Sequence, residues 1–169
     1  MLACAVLLAP NLCAQRYVFR PYRQADGLQN LSVKALAVDR TGFLWVGTEN
    51  GVYRFLGAGF EKYGVEQGIA ERDIQDVFTD LHGGVWVGTY ENLYRWDGQR
   101  FVPAGRDPIH IWGAKRMAAE DARHLLVVDK NRLYRLGLDA QAKMQSYAPA
   151  FSPAEKILAS RPGFAVMWK

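Results

Sequence analysis

Residues 39–48 read Asp39-Arg40-Thr41-Gly42-Phe43-Leu44-Trp45-Val46-Gly47-Thr48. This stretch returns 41 residues later as Asp80-Leu81-His82-Gly83-Gly84-Val85-Trp86-Val87-Gly88-Thr89. The residues identical at this fixed offset are Asp39, Gly42, Trp45, Val46, Gly47 and Thr48, which return as Asp80, Gly83, Trp86, Val87, Gly88 and Thr89. So many identities at one spacing indicate a duplicated structural unit.

The same register extends in both directions along the chain. Tyr53-Arg54 returns as Tyr94-Arg95, and Tyr22 returns as Tyr63. A weaker third copy follows at a spacing of 40, with Tyr134-Arg135 in the matching place but without the Trp-Val-Gly-Thr sequence. These offsets place repeats at residues 31–63, 72–104 and 112–147, and an unfinished one from residue 155. The last part of another repeat lies at 17–28, which we expect to be the outer strand of a closing blade.

Each repeat contains four short stretches of strand composition separated by turn residues. In the first repeat these stretches are Val33–Asp39, Phe43–Thr48, Val52–Phe55 and Phe60–Tyr63. Four antiparallel strands joined by tight turns form one blade of a β-propeller, whose repeats span ~40–45 residues. The sequence therefore predicts an all-β fold with about three and a half blades of a larger propeller, and no helix.

The Trp-Val-Gly strands also predict how blades meet. Trp45 and Gly47 alternate along one strand, as Trp86 and Gly88 do along the next copy. Residues two apart in a strand face the same side. We expect a large ring at each blade–blade contact and, two residues on, a glycine where the neighbouring blade can approach closely.

The motif of residues 42–48, followed by Asn50-Gly51-Val52-Tyr53-Arg54-Phe55, resembles the two-component regulator propeller repeat. The resemblance is specific in the first two repeats and poor beyond residue 112. It implies the periplasmic sensor region of a bacterial receptor that is followed by a membrane-spanning helix and an output module such as a histidine kinase or a diguanylate cyclase. It also implies that this chain is not an enzyme, that it touches the membrane only through downstream segments, and that a receptor dimer is one assembly to expect.

Residues 1–14 have the features of a secretory signal peptide. Their apolar core is shorter than the ~20 residues that a membrane-spanning helix needs, and the small residue Ala14 precedes the expected cut. The mature chain, residues 15–169, would then lack both Cys4 and Cys13, which excludes disulfides and thiolate metal sites. A periplasmic or secreted location follows.

The charged and histidine residues suggest no cofactor, metal or nucleic-acid site. The net charge of +4 is spread along the chain, whereas nucleic-acid binding needs a basic patch. His82 lies in a turn, and we expect His110 and His124 to have no second histidine or carboxylate at a metal-ligand spacing. Asp39 and Asp80 recur at hairpin starts, which favours aspartate turns that bond their own backbone over paired catalytic carboxylates.

Positions that break the repeat are the better candidates for binding, because loops on a fixed scaffold carry variation. The loop Glu49-Asn50-Gly51 becomes Tyr90-Glu91-Asn92, and Asn30-Leu31-Ser32 becomes Glu71-Arg72-Asp73. Both loops are expected at one rim, because alternate connections of an antiparallel meander share an end. The residues expected to face a ligand are therefore Arg72, Asp73, Tyr90 and Glu91, with carbohydrate as one class of ligand.

Three functions remain open at this stage. The first is the N-terminal part of a ligand-sensing propeller in a signalling receptor. The second is a secreted propeller that only binds or scaffolds, and the third is a propeller enzyme acting on polysaccharides. For the architecture, the alternative to a larger propeller is a crude four-blade closure in which Tyr17–Tyr22 joins the fourth repeat.

Overall fold

The computed structural model describes residues 19–129, 132–138, 144–146, 156–161 and 164–168, with side chains for 19–129 and 133–138. The predicted signal peptide at 1–14 and both cysteines lie outside the described residues. The strands are β1 (Val33–Val38), β2 (Leu44–Thr48), β3 (Gly51–Phe55), β4 (Phe60–Tyr63), β5 (Ile74–Thr79), β6 (Val85–Thr89), β7 (Leu93–Trp96), β8 (Phe101–Pro103), β9 (Met117–Ala119), β10 (His124–Asp129), β11 (Arg132–Gly137), β12 (Met144–Ser146), β13 (Lys156–Arg161) and β14 (Phe164–Trp168).

These strands form sheets that follow the repeat. The first blade is β1-β2-β3-β4, the second is β5-β6-β7-β8 and the third is β9-β10-β11-β12, and β13 pairs with β14. Every pairing is antiparallel between consecutive strands. The prediction of four-stranded antiparallel blades is confirmed, and the strand bounds of the first blade differ from the predicted ones by at most one residue.

The third blade is a regular four-stranded sheet although it lacks the tryptophan motif. Its strand β10 is buried on both faces: Leu125 and Val127 pack in a cluster with Trp86, whereas Leu126 and Val128 pack with Ala118. Unbroken apolar composition from Leu125 to Val128 is sufficient for a strand covered on both sides. The Trp-Val-Gly-Thr motif is therefore not required to form a four-stranded sheet. In the second blade it supplies Trp86, which packs against the third blade.

Two details differ from the sequence prediction. Residues 19–23 contain no strand, because a strand needs a hydrogen-bonding neighbour and the described sheets offer this segment none. Single turns of 3-10 helix occur at Gln24–Asp26 and Val65–Gln67, each closed by a glycine in the left-handed conformation. The role of 17–28 in a closing blade stays a prediction.

The contact between the first and second blades matches the predicted tryptophan and glycine arrangement. The Trp45 side chain is fully buried, in one cluster with Ile74 and Val77 of β5. A Cβ atom on Gly47 would lie 2.8 Å from Cγ2 of both Ile74 and Val77. Only glycine leaves room for this approach, since Cβ contacts below 3.0 Å essentially do not occur.

The second and third blades meet through a different residue. The side chain of Ile111, from the connection before β9, fills the space above Gly88, where a Cβ atom would lie 2.6 Å from Ile111 Cγ1. Ile111 is fully buried and donates its backbone N–H to the Thr89 carbonyl at 2.9 Å.

No helix among the described residues is long and apolar enough to cross a membrane.

Candidate functional site: the rim between the second and third blades

One edge of the blades carries both kinds of loop that break the repeat. The Nζ atom of Lys34 bonds Asp73, in the connection before β5, and lies 3.9 Å from Glu49 Oε1, in the turn after β2. The rings of Tyr90, in the turn after β6, and Trp112, in the connection before β9, are 5.0 Å apart. Turns between second and third strands and connections between blades therefore share a rim.

The predicted residues fall at two neighbouring junctions of that rim. Arg72 and Asp73 lie between the first and second blades, where Asp73 is held by Lys34 and Arg72 is exposed. Tyr90 and Glu91 lie between the second and third blades, and both are exposed. The structure thus places them as loop residues at one edge, and their binding role stays a prediction.

Trp112 is the residue of this rim that the sequence argument missed. Its side chain is 47% exposed and its partner Tyr90 is 39% exposed, which is unusual for rings of this size. Trp112 stands 40 residues after Arg72, so it is the counterpart of a selected position in the third repeat. A search for positions at which the third repeat departs from the second would also have selected Trp112.

The segment that carries Trp112 is anchored to the turn after β6. The backbone N–H of Ile109 donates to Asn92 Oδ1 at 3.3 Å, and the bond from Ile111 to Thr89 follows two residues on. Ile109 and Ile111 are both buried, whereas Trp112 is exposed. These anchors hold the pair Tyr90–Trp112 as an edge-to-face aromatic surface on a fixed backbone.

A polar pair lies on the same junction. His110 Nδ1 is 3.5 Å from Asp129 Oδ2, at the end of β10. Asp129 takes the place that Thr89 holds 40 residues earlier. Thr89 Oγ1 bonds its own turn, through Asn92 O at 3.0 Å and Asn92 N at 2.9 Å. The third repeat therefore has a carboxylate where the second has a hydroxyl.

A buried carboxylate lies beneath this junction. Asp76 of β5 accepts the backbone N–H of Arg116 at 2.8 Å and that of Val77 at 3.1 Å. Burial, which outweighs these bonds and those from Lys115, raises the pKa of Asp76 to about 6. Asp76 stands where the first repeat has Ala35, so the repeat comparison gave no reason to select it.

The recurrent aspartates accept hydrogen bonds from the backbone of their own turns, and they also bond a tryptophan. Asp39 Oδ1 accepts the backbone N–H groups of Thr41 and Phe43 at 2.9 and 3.0 Å, and Oδ2 accepts the Trp45 indole N–H at 2.8 Å. Asp80 binds His82, Gly84 and Trp86 in the same way. The indole bond joins residues six apart across the hairpin, which the turn argument alone does not reveal.

These bonds also affect the charge of Asp39. Burial is the largest single influence and acts to raise its pKa. The hydrogen bonds from Thr41, Trp45 and Phe43 together outweigh burial and hold the pKa of Asp39 below its usual value. These hydrogen bonds therefore favour the ionised form of Asp39, which accepts all of them.

The opposite edge of the third blade requires a correction about His124. Ligand atoms of Glu120, Asp121 and His124 lie within 4.8 Å of one another, so carboxylates do occur at a ligand spacing from this histidine. Arg135 bonds Glu120 and approaches His124 Nδ1 at 3.0 Å and Asp121 Oδ2 at 3.7 Å. The cluster is an ion-pair network around a guanidinium, which opposes the binding of a metal cation.

This network occupies the place of the aspartate–tryptophan bond in the other blades. Arg135 corresponds to Arg54, whose guanidinium lies 3.8 Å from the Phe43 ring centre and 3.9 Å from Asp39. With Leu126 in the tryptophan position, the longer Glu120 reaches the arginine directly.

His82, in the second-blade turn, is exposed, and its Nε2 contacts the Ala122 carbonyl of this third-blade turn.

Comparisons with known proteins agree with the fold. The extracellular domain of a protein described as the hybrid two component system BT3049 from B. thetaiotaomicron is 25% identical, with a TM-score of 0.62 over 77% of this chain. The extracellular domain of the one component system BT4673 from the same organism is 16% identical, with a TM-score of 0.57 over 68% of this chain, and shows the fold alone. The chain spans only 20% and 17% of these two structures.

No curated protein matches the chain. The family model for the two component regulator propeller matches residues 27–50, which include β1 and β2. The matched segment contains Gly42–Thr48, the first part of the motif on which the resemblance rests, and ends at Asn50, where the second part begins. The chain is thus an all-β protein of propeller blades that carries the two component regulator propeller repeat, and its structure is similar to extracellular domains of bacterial sensor systems.

Proposed function

We propose that this chain forms part of the ligand-sensing propeller of a bacterial signal-transduction receptor and works outside the cytoplasm. Its repeat and its similarity to the extracellular domain of a hybrid two component system support this function. The ligand acts by binding one arrangement of the receptor more tightly than another. The proposed role involves no bond making or breaking in this chain.

The observation that carries the proposal is the exposed pair Tyr90–Trp112. A large ring that stays half exposed on an anchored loop is the type of surface that binding sites use, with nearby polar groups for orientation. Glu91 and His110 stand beside these rings in the sequence and offer such groups. An aromatic face beside hydrogen-bonding side chains suits a carbohydrate, whose rings combine apolar faces and hydroxyl groups.

The test is a thermal-shift screen on the protein expressed from its complete gene. The panel consists of neutral and acidic oligosaccharides, and the variants are Tyr90→Ala and Trp112→Ala. Leu81→Ala is the matched control, since Leu81 is also an exposed apolar residue, at 50%, but lies in the turn after β5 at the opposite edge. We expect a sugar that raises the melting temperature, and about two- to tenfold weaker binding in each aromatic variant, because losing one ring contact costs ~0.5–1.5 kcal/mol.

The control should bind like the original protein. If Trp112→Ala and Leu81→Ala bind equally well, the rim is not the binding surface. If no member of the panel binds, carbohydrate is the wrong ligand class.

A further inference from the structure

The connection that carries Trp112 also places an exposed lysine at the rim. The backbone N–H of Arg116 donates to Asp76 at 2.8 Å, and that of Lys115 bonds the same carboxylate. The Arg116 carbonyl accepts the backbone N–H of Val128, so Lys115 lies beside the end of β10. Lys115 has a φ of 59°, a left-handed conformation that is unfavourable for most residues with a side chain. The buried carboxylate thus fixes the backbone of a lysine whose side chain is exposed.

The repeat shows what a lysine at this position binds. Lys115 stands where the first blade has Lys34, at an offset of 81 residues, which is the sum of the spacings of 41 and 40. Lys34 Nζ bonds Asp73 and lies 3.9 Å from Glu49 Oε1, so it holds two carboxylates. At the same offset, Glu49 is replaced by Lys130. Within the part of the chain that the structure describes, the Lys115 ammonium makes no ion pair.

The two blade junctions also differ in charge. The segments of the first junction contain six acidic residues and one basic residue, and they are residues 48–51, 65–76 and 89–92. The corresponding segments of the second junction contain three acidic and five basic residues, and they are residues 89–92, 105–116 and 129–132. One of these three acidic residues, Asp129, has a side chain that is only 13% exposed and that faces His110. The second junction therefore favours an anionic ligand, which the first would repel.

We propose that this rim binds a sugar that carries a carboxylate, with Lys115 bonding the carboxylate beside the aromatic surface of Tyr90 and Trp112. The inference rests on the proposed function, because it refines the ligand of the same site. The sugar carboxylate takes the place that side-chain carboxylates hold against Lys34. The ammonium gives a charge-assisted hydrogen bond to this group, while the aromatic rings contact the apolar face of the sugar.

The experiment measures binding by isothermal titration calorimetry, with the protein expressed from its complete gene. The probes are oligomers of galacturonate, glucuronate and mannuronate, each compared with the neutral oligomer of the parent sugar in the same linkage. The members of a pair differ only by a carboxylate in place of a hydroxymethyl group.

Two variants and a control test the assigned residue. Lys115→Asn removes the ammonium with a residue that tolerates the left-handed conformation, and Lys115→Arg keeps the positive charge. Arg100→Gln is the control, since Arg100 is an exposed basic residue in the turn after β7, at the opposite edge.

We expect at least one uronate to bind about tenfold or more tightly than its neutral partner, and Lys115→Asn to remove that difference. Lys115→Arg and the control should keep it. Neutral oligomers that bind as tightly as the uronates would overturn this inference and leave the proposed function intact, whereas no binding by either class would overturn both. A uronate preference of the same size in Lys115→Asn and in the original protein would overturn the role of Lys115.

Discussion

At the residue scale, the aspartate that begins each hairpin organises the blade. Asp80 is 5% exposed and accepts three hydrogen bonds, from His82, Gly84 and the Trp86 indole. The indole bond fixes the orientation of the ring whose burial joins the second and third blades. A single carboxylate thus couples a turn to a blade contact.

Replacing this aspartate should destabilise the protein strongly. Asp80→Ala leaves the buried Trp86 N–H and two backbone N–H groups without their acceptor, and we expect a loss of about 3 kcal/mol in the free energy of unfolding. Asp97→Ala is the control, because Asp97 also accepts two backbone N–H groups, from Gln99 and Arg100, but in an exposed turn where water replaces it. Urea unfolding measures both, and an equal loss for the two variants would contradict the assigned role of Asp80.

The sequence predicts residue roles only where the repeat supplies a comparison. The turn function of Asp39 and Asp80 was predicted from their recurrence, whereas the indole bond depends on which strand positions face each other. Asp76 was missed because Ala35 precedes it in the repeat. The prediction that His124 has no carboxylate nearby was wrong although Glu120 and Asp121 stand only four and three residues before it, because the turn at 120–124 brings them back to the histidine.

At the element scale, the third blade shows which parts of the repeat make a sheet. Strands β9 to β12 keep the order of the first two blades, although Leu126 replaces the tryptophan. Apolar residues on both faces of β10 are enough for the sheet. The strands were therefore predictable from composition, but the anchoring of Trp112 was not, because it depends on Ile111 filling the space above Gly88.

The free energy of unfolding should depend on pH through Asp76, which bonds the connection between the second and third blades. Its pKa is about 6 in the folded protein, against an ordinary value of 3.8. Folding therefore favours the neutral form, and the contribution of Asp76 to stability is greatest below pH 3.8 and falls by about 3 kcal/mol as pH rises to above 6.

Comparison with Asp76→Asn isolates this contribution, because the variant side chain does not titrate. The unfolding free energy of the original protein minus that of the variant should decrease between pH 4 and about pH 7, because the folded carboxyl is still half protonated at its pKa of about 6, and should be constant at higher pH. Urea unfolding across this range measures the difference. A difference that is flat from pH 4 to 7, or that rises with pH, would show that the carboxylate is not buried as described.

At the scale of the whole molecule, the account rests on successive repeats being blades packed face to face. The repeat predicted this arrangement, because the alternation of Trp45 and Gly47 is repeated at Trp86 and Gly88. It could not predict which ligand the rim binds, because that depends on a molecule with which the repeat offers no comparison.

The most direct test of this packing is a double-mutant cycle across the first contact. Gly47→Ala adds a methyl group 2.8 Å from Val77 Cγ2, and should cost about 1–3 kcal/mol in unfolding free energy. Val77→Ala removes this atom, one of the two Cγ2 atoms at that distance, so the added methyl group gains room on the Val77 side in the double variant and still meets Ile74. Gly105→Ala with Val77→Ala is the control pair, because a Cβ atom on Gly105 meets nothing closer than 3.6 Å.

Unfolding free energies of the four proteins of each cycle give the result. The account predicts that the Gly47 and Val77 losses sum to at least about 1 kcal/mol more than the loss in the double variant, while the control pair is additive. Additive losses for Gly47 and Val77, to within about 0.5 kcal/mol, would contradict face-to-face packing of the first two blades.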